Sequence, residues 1–140
     1  DLFELRMLVE PQIAALAAER VTAGEIDEIE QACAEVERCI REDEPYDARD
    51  TDLHELIAMA SKNQVVSTIM PVIHSAVRIF YELRDEDLMR STIVSHRAIV
   101  EAIRKKDPVQ AQAAMVKHLV ENKRSIERFV NASSEDPEGA

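Results

Sequence analysis

The chain has 140 residues, enough for one domain with a substantial core and too few for two. With 46% hydrophobic and 32% charged residues, two glycines and no tryptophan, it favours an all-α fold over a sheet protein, which would need turn glycines and β-branched runs. The net charge of −11 disfavours binding of nucleic acid by this chain itself, and the lack of a long apolar run or signal-like segment predicts a cytoplasmic protein without a membrane span.

Three segments with helical rhythm occupy the N-terminal half. Residues 2–21 carry apolar side chains at three- and four-residue steps, as in an amphipathic helix, and Pro11 is expected to bend or restart that helix. Thr22 and Glu25 have the spacing of a capping box, which predicts the start of a second helix that ends before the charged turn "REDEP". A third helix is predicted over residues 46–60, where "SKN" ends the pattern.

Three further helices are predicted in the C-terminal half. The fourth covers residues 64–83 and the fifth residues 89–106, and the "RDED" between them is interpreted as a solvated loop. The sequence "KKDP" ends the fifth helix, because the residue before a proline avoids the α region, and Pro108 fits the first turn of a sixth helix to about residue 130. Residues 131–140 have little apolar content and are predicted to form a disordered tail.

An acidic and a basic side chain share the apolar face of the third helix. Asp50 and His54 are four residues apart, and Leu53 and Ile57 lie on the same face. Both polar side chains are therefore expected to point into the bundle. Such a pair is either a buried ion pair or part of a metal site.

Two more histidines are expected to meet inside the bundle. His96 and His118 lie in the apolar stripes of the fifth and sixth helices, each eleven residues from Asp107 in the intervening turn. In an antiparallel helical hairpin, residues equidistant from the turn lie at the same height, here about 16 Å from it. The two imidazoles can thus converge.

Each histidine alone is more simply explained as a core residue satisfied by one hydrogen bond. The set of four side chains favours a metal site, because burial of several unpaired imidazoles costs free energy that a bound ion offsets. Three nitrogens and one carboxylate oxygen suit Zn²⁺, Ni²⁺, Mn²⁺ or Fe²⁺, and the sequence does not choose among them.

Three other side chains are weaker candidates for a binding site. His74 could line the same interior as a core or pocket-wall residue, and no local carboxylate supports it as a ligand. Arg78 could share that wall or lie at the surface. Arg6 stands beside an apolar stripe, where it either reaches solvent, pairs with Glu10 four residues later, or clamps a carboxylate ligand.

Three stretches carry a resemblance to a known family. In order and spacing, "ELRMLVEPQIAALAAERVTAGEIDEI", "DTDLHELIAMASKN" and "SHRAIVEAIRKKDPVQAQAAMVKHL" resemble the FCD effector-binding domain of GntR-type bacterial transcription regulators. The resemblance covers about residues 1–130. It implies an antiparallel bundle of six to seven helices around a central cavity, in which a divalent metal, zinc first among the candidates, is held by Asp50, His54, His96 and His118.

The resemblance also implies partners. The resemblance implies that a small carboxylate effector binds at the metal, and Arg6 matches the first-helix arginine that reaches the ligand in several members. As possible wall residues of the same interior, Arg78 and His74 are weaker candidates for contacts with the effector. Family members form homodimers and bind DNA through an N-terminal winged helix-turn-helix, which is expected to be missing from a chain that begins at Asp1.

The leading hypothesis is a sensor domain that modulates DNA binding by an attached winged-helix domain. One alternative is a metal-dependent, hydrolase-like enzyme, since an open metal site can activate water. The nearby acids Asp52 and Glu55 lie off the inward face, however, and no general base is apparent, so the chain is not expected to be an enzyme. The other alternative is a helical interaction module with a structural metal.

Overall fold

The described part of the chain, residues 1–135 of a computed structural model, is an all-α bundle, as predicted. Its elements follow in the order α1 (Leu2–Arg20), α2 (Ala23–Arg41), α3 (Asp47–Ala60), α4 (Gln64–Val77), a 3₁₀ helix η1 (Arg78–Leu83), α5 (Glu86–Arg104) and α6 (Pro108–Glu135). Within residues 1–135, no helix combines the length and the apolar content that a membrane span requires.

The predicted capping box forms at the start of α2. The Thr22 side chain accepts a hydrogen bond from the backbone N–H of Glu25, and the Glu25 side chain accepts one from the backbone N–H of Thr22. Two otherwise unpaired donors are satisfied in this way, which fixes the first residue of the helix.

The helices differ from the predictions in four places. Helix α1 continues through Pro11 without a restart, and Pro11 is buried in the bundle. The fourth helix changes at residue 78 into the tighter η1. Helix α5 begins three residues early, because the Asp85 side chain accepts a hydrogen bond from the backbone N–H of Leu88.

The fourth difference lies at the C-terminal end. Helix α6 continues to Glu135, so residues 131–135, predicted to belong to a disordered tail, are helical. The hydroxyls of Ser133 and Ser134 donate to the carbonyls of Phe129 and Asn131 in the preceding turn. The rest of the predicted tail, residues 136–140, lies outside the described residues.

Small and branched side chains hold the bundle together. Helix α1 packs chiefly against α6, which also packs along α5, and α2 packs against α3. Ala14, Ala17 and Ala18 of α1 are completely buried, so neighbouring backbones can approach closely. The largest fully buried apolar residues form the core, namely Ile29, Leu53, Met70, Ile99, Ile103, Met115 and Leu119. This packing fixes the inner faces of α1, α3, α5 and α6 against one another.

Candidate metal centre

Four imidazoles form one buried cluster inside the bundle. They belong to His54 on α3, His74 on α4, His96 on α5 and His118 on α6, and each residue is at most 4% exposed. The ring centroids of His96 and His118 are 4.8 Å apart, as their equal distances from the turn predict. The His54 ring lies 5.3 to 5.5 Å from the other three.

Asp50 joins this cluster from the same face of α3 as His54. Its Oδ1 atom lies 3.2 Å from His96 Nε2 and 3.8 Å from His54 Nε2. One nitrogen from each of His54, His96 and His118 lies within 4.8 Å of the others. The structure therefore brings together the four side chains that the sequence analysis selected.

Several nitrogens in the cluster have no hydrogen bond. Across residues 1–135, no hydrogen-bond partner is found for His54 Nε2 or for either ring nitrogen of His96. The two Nε2 atoms contact Asp50, but without hydrogen-bond geometry. Each unsatisfied buried polar atom costs about 1–3 kcal/mol. Three imidazoles and a carboxylate are also a common donor set for a divalent transition metal. The residues present thus fit a metal ion, which would satisfy the unpaired nitrogens.

His118 is oriented by its neighbours on α5 and α6. Ser95 Oγ lies 2.8 Å from His118 Nδ1 and also donates a hydrogen bond to the Thr92 carbonyl. Asn122 Nδ2, which can only donate, lies 3.4 Å from His118 Nε2, so Nε2 carries the lone pair and Nδ1–H donates to Ser95 Oγ. Burial, with the nearby His96 and His54, lowers the pKa of His118 well below its usual value. The ring is therefore held neutral, as metal binding requires.

Glu10 on α1 is a member of the cluster that the sequence analysis missed. It is 1% exposed, and its Oε2 accepts a hydrogen bond from Arg6 Nε at 2.6 Å. Its Oε1 lies 3.3 Å from His54 Nδ1 and 3.5 Å from His74 Nε2. Burial opposes ionisation of Glu10, but the Arg6 charge and the hydrogen bonds from the two histidines outweigh it and hold the Glu10 pKa well below its usual value.

The position of Glu10 gives His54 a defined tautomer. An ionised Glu10 accepts the proton on Nδ1, so the lone pair of Nε2 points toward Asp50. A carboxylate behind the imidazole is a common arrangement for metal-ligating histidines. A second possible cation site is formed by Glu10, His54 and His74. The Arg6 charge already neutralises Glu10, however, and would repel a cation bound there. The group around Asp50 is the better metal site.

The predicted effector-binding residues are placed differently. Arg6 is 3% exposed and forms the predicted pair with Glu10 at the edge of the cluster. His74 lines the cluster on the same side. Arg78 has a 57% exposed side chain, 3.0 Å from Asp47, and lies at the surface outside the cluster.

Arg84 is a second buried residue that was missed. The interpretation of "RDED" as solvated is confirmed for residues 85–87, which are exposed, and is wrong for Arg84. The Arg84 side chain is 8% exposed and packs beside the rings of Tyr46 and Tyr81, 5.1 Å from each centroid. Its NH2 atom is 3.5 Å from Asp50 Oδ2. Burial opposes ionisation of Asp50, but the close contact with His96 and the positive charges of neighbouring side chains, Arg84 among them, hold the Asp50 pKa well below its usual value.

The large surface grooves lie away from the histidines. A groove of about 550 Å³ lies on the surface between α2 and α3, and its lining includes Gln31 and Met59. A second of about 550 Å³ lies between the start of α1 and α6, beside Phe3 and Ile126. At the position where the resemblance implies a central cavity, the structure places the four packed imidazoles.

Comparison with known proteins supplies the family. Residues 1–121 match the FCD domain. The chain is 32% identical over 129 residues to the galactonate operon transcriptional repressor of Escherichia coli (strain K12), a match that covers 90% of this chain and 56% of that protein. It is 27% identical over 126 residues to the HTH-type transcriptional regulator LutR of Bacillus subtilis (strain 168), covering 85% of this chain and 58% of that protein.

A solved structure agrees with this match. Streptococcus agalactiae GntR superposes with a TM-score of 0.81 at 32% identity, over 89% of this chain and 57% of that one. The chain thus spans a little over half the length of these relatives, and their names describe transcription regulators rather than enzymes. The chain belongs to the FCD domain family of GntR-type transcription regulators.

Proposed function

We propose that this domain senses a small organic acid, which binds beside a divalent metal ion held by Asp50, His54, His96 and His118. The observation that carries the proposal is the set of unpartnered buried nitrogens on His54 and His96, which lie next to the Asp50 carboxylate within the described chain. The metal would supply a cationic centre with positions open to an anion, and zinc is the first candidate for this donor set.

The charges around the cluster favour an anionic effector. In the formal charge of the whole cluster, the two arginines, Arg6 and Arg84, balance the two carboxylates, Glu10 and Asp50. A divalent ion among neutral imidazoles therefore leaves two uncompensated positive charges in a buried site, which is costly without an anion. A carboxylate removes part of that charge. Arg6 is proposed to contact the effector through the terminal nitrogens left free by its Nε contact with Glu10, beside His74.

The name of one relative suggests the first compound to test. The Escherichia coli relative is named for the galactonate operon, and galactonate is a small sugar acid of the proposed class. We propose that the effector alters the DNA affinity of a homodimer through a winged-helix domain in the remainder of the whole protein. Such a switch requires that the effector bind two states of the protein with different affinities.

Metal analysis and thermal denaturation test this proposal together. The purified chain is expected to contain about one divalent ion, and EDTA should lower its Tm. Galactonate should raise the Tm of the zinc-loaded chain but not of the EDTA-treated chain. His96→Ala is expected to lower the metal content and the galactonate effect together.

His74→Ala is the matched control, since His74 lies in the same cluster but faces Glu10 rather than Asp50. Its metal content should stay near that of the wild type. Unchanged metal stoichiometry in His96→Ala would exclude His96 as a ligand. A metal-loaded wild type whose Tm does not respond to galactonate or to any of a panel of small organic acids would point instead to a structural metal.

A further inference from the structure

The metal cluster has one edge that is closer to solvent than the rest. The side chains of Asp50 and Arg84 keep 14% and 8% exposure, whereas those of His54 and His96 keep 3% and 2%. On the opposite side, the Arg6 and Glu10 side chains are 3% and 2% exposed. A small molecule that reaches the cluster from solvent meets Asp50 and Arg84 first.

Two hydrogen-bond donors at this edge are poorly satisfied. Arg84 NH1 and the Tyr46 hydroxyl are both buried, and the two side chains interact, but neither atom makes a hydrogen bond of good geometry within residues 1–135. The guanidinium carbon of Arg84 lies 5.1 Å from the centroid of the Tyr46 ring, so both groups belong to one small region. A buried guanidinium nitrogen and a buried hydroxyl are costly to leave unpaired, and an anionic acceptor would satisfy both.

The charge of Arg84 is also poorly neutralised. Its contact with Asp50 is 3.5 Å long, against 2.6 Å between Arg6 and Glu10. Asp50 is shared with His96 at 3.2 Å, and it is the carboxylate proposed to hold the metal. When Asp50 binds a cation, less of its negative charge is available to Arg84. Arg84 then needs a second anion.

We propose that Arg84 and Tyr46 form a carboxylate-binding site at the Asp50 edge of the metal cluster, and that the effector's carboxylate binds there. This inference rests on the proposed function, because it assigns two further residues to the same effector. Arg84 supplies a charged donor held in place by two aromatic rings, and Tyr46 supplies a neutral donor.

Isothermal titration of the zinc-loaded chain with galactonate tests the inference, with the uncharged sugar galactose as a control compound. Loss of one charge-assisted contact weakens binding by about 10- to 100-fold, so Arg84→Gln should raise the Kd by that factor. Tyr46→Phe keeps the ring beside Arg84 and removes an unpaired hydroxyl. Because that unpaired hydroxyl is costly in the ligand-free chain, Tyr46→Phe should keep or raise the Tm without ligand while it raises the Kd by about tenfold.

Arg78→Gln is the matched control for charge. Arg78 is the first residue of η1 and Arg84 directly follows its last, and each contacts an aspartate of helix α3, but the Arg78 side chain is exposed. Its Kd for galactonate should equal that of the wild type, and zinc content by elemental analysis should be the same in all four proteins.

Each outcome is decisive. A Kd raised in Arg84→Gln and Tyr46→Phe but not in Arg78→Gln, at full zinc content, supports the site. Equal Kd values in wild type and both site variants overturn the inference and leave the proposed sensor intact. Loss of zinc from Arg84→Gln also overturns it, since Arg84 would then act by holding Asp50. If zinc-loaded wild type binds neither galactonate nor any of the other acids in the panel, the proposed function and the inference both fail.

Discussion

The buried pair of Arg6 and Glu10 gives the sharpest test of the packing around the cluster. The two side chains are 3% and 2% exposed and their closest atoms are 2.6 Å apart. Glu10→Gln keeps the shape of the side chain but leaves the Arg6 charge buried without a counter-ion. Removal of one partner of a buried ion pair costs about 3–5 kcal/mol. Because glutamine still offers a carbonyl acceptor, we expect the lower end of that range.

The assay is chemical denaturation of the EDTA-treated chain, so that metal binding does not contribute. A loss of about 3 kcal/mol corresponds to a fall in Tm of about 6–12 °C for a domain of this size. Glu42→Gln is the matched control, since Arg38 and Glu42 have the same four-residue spacing and the same 2.6 Å separation but are 41% and 55% exposed. Solvent already screens that pair, so its loss should leave the free energy of unfolding nearly unchanged.

The comparison of the two variants decides whether burial matters. If Glu10→Gln and Glu42→Gln lower the free energy of unfolding by the same amount, the Arg6 charge is not trapped in a low-dielectric site. The proposed orientation of His54 by Glu10 would then lose its basis.

Two further predictions concern the start of α2. Thr22→Ala removes one half of the capping box and should cost about 1 kcal/mol without a change in metal content, and a cost at or below the error of the denaturation fit would contradict the cap. Hydrogen bonds from Lys62 and Thr22 lower the pKa of Glu25 below its ordinary value of 4.5, so the folded chain binds fewer protons here than the unfolded chain. The stabilisation by Lys62 is therefore complete above pH 4.5 and is lost as the pH falls through the lowered pKa. Chemical denaturation at several pH values tests this with Lys62→Met. The variant should be less stable than wild type by about 0.2–1 kcal/mol at pH 7 and equally stable at strongly acidic pH. A difference in stability that persists in acid would contradict the prediction.

Local patterns in the sequence predicted those features that depend on spacing along one or two helices. Asp50 and His54 lie on one face because they are four residues apart, and His96 meets His118 because both are equally far from one turn. The capping box at Thr22 follows from two residues three positions apart. These inferences need only helical geometry and the direction of the hairpin.

Features that depend on contacts between distant segments were not predictable in the same way. Glu10 was interpreted only as a partner of Arg6, although an Arg-Glu pair beside an apolar stripe is a signal for a buried ion pair. Its contacts with His54 and His74 depend on how α1 packs against α3 and α4. Arg84 stands in a charged run that normally indicates solvent exposure, and its burial beside two tyrosine rings arises from the tertiary fold.

The positions along the chain of the three imidazoles proposed to bind the metal have a topological consequence. His54 and His96 are 42 positions apart, and His118 follows after another 22. In the metal-loaded protein that we propose, one ion would close both intervening stretches into loops and so restrict the unfolded chain, as a disulfide does. Cys33 and Cys39 are free thiols and supply no such cross-link. The cross-link in this protein would then be the metal ion, which a chelator removes and a reductant does not affect.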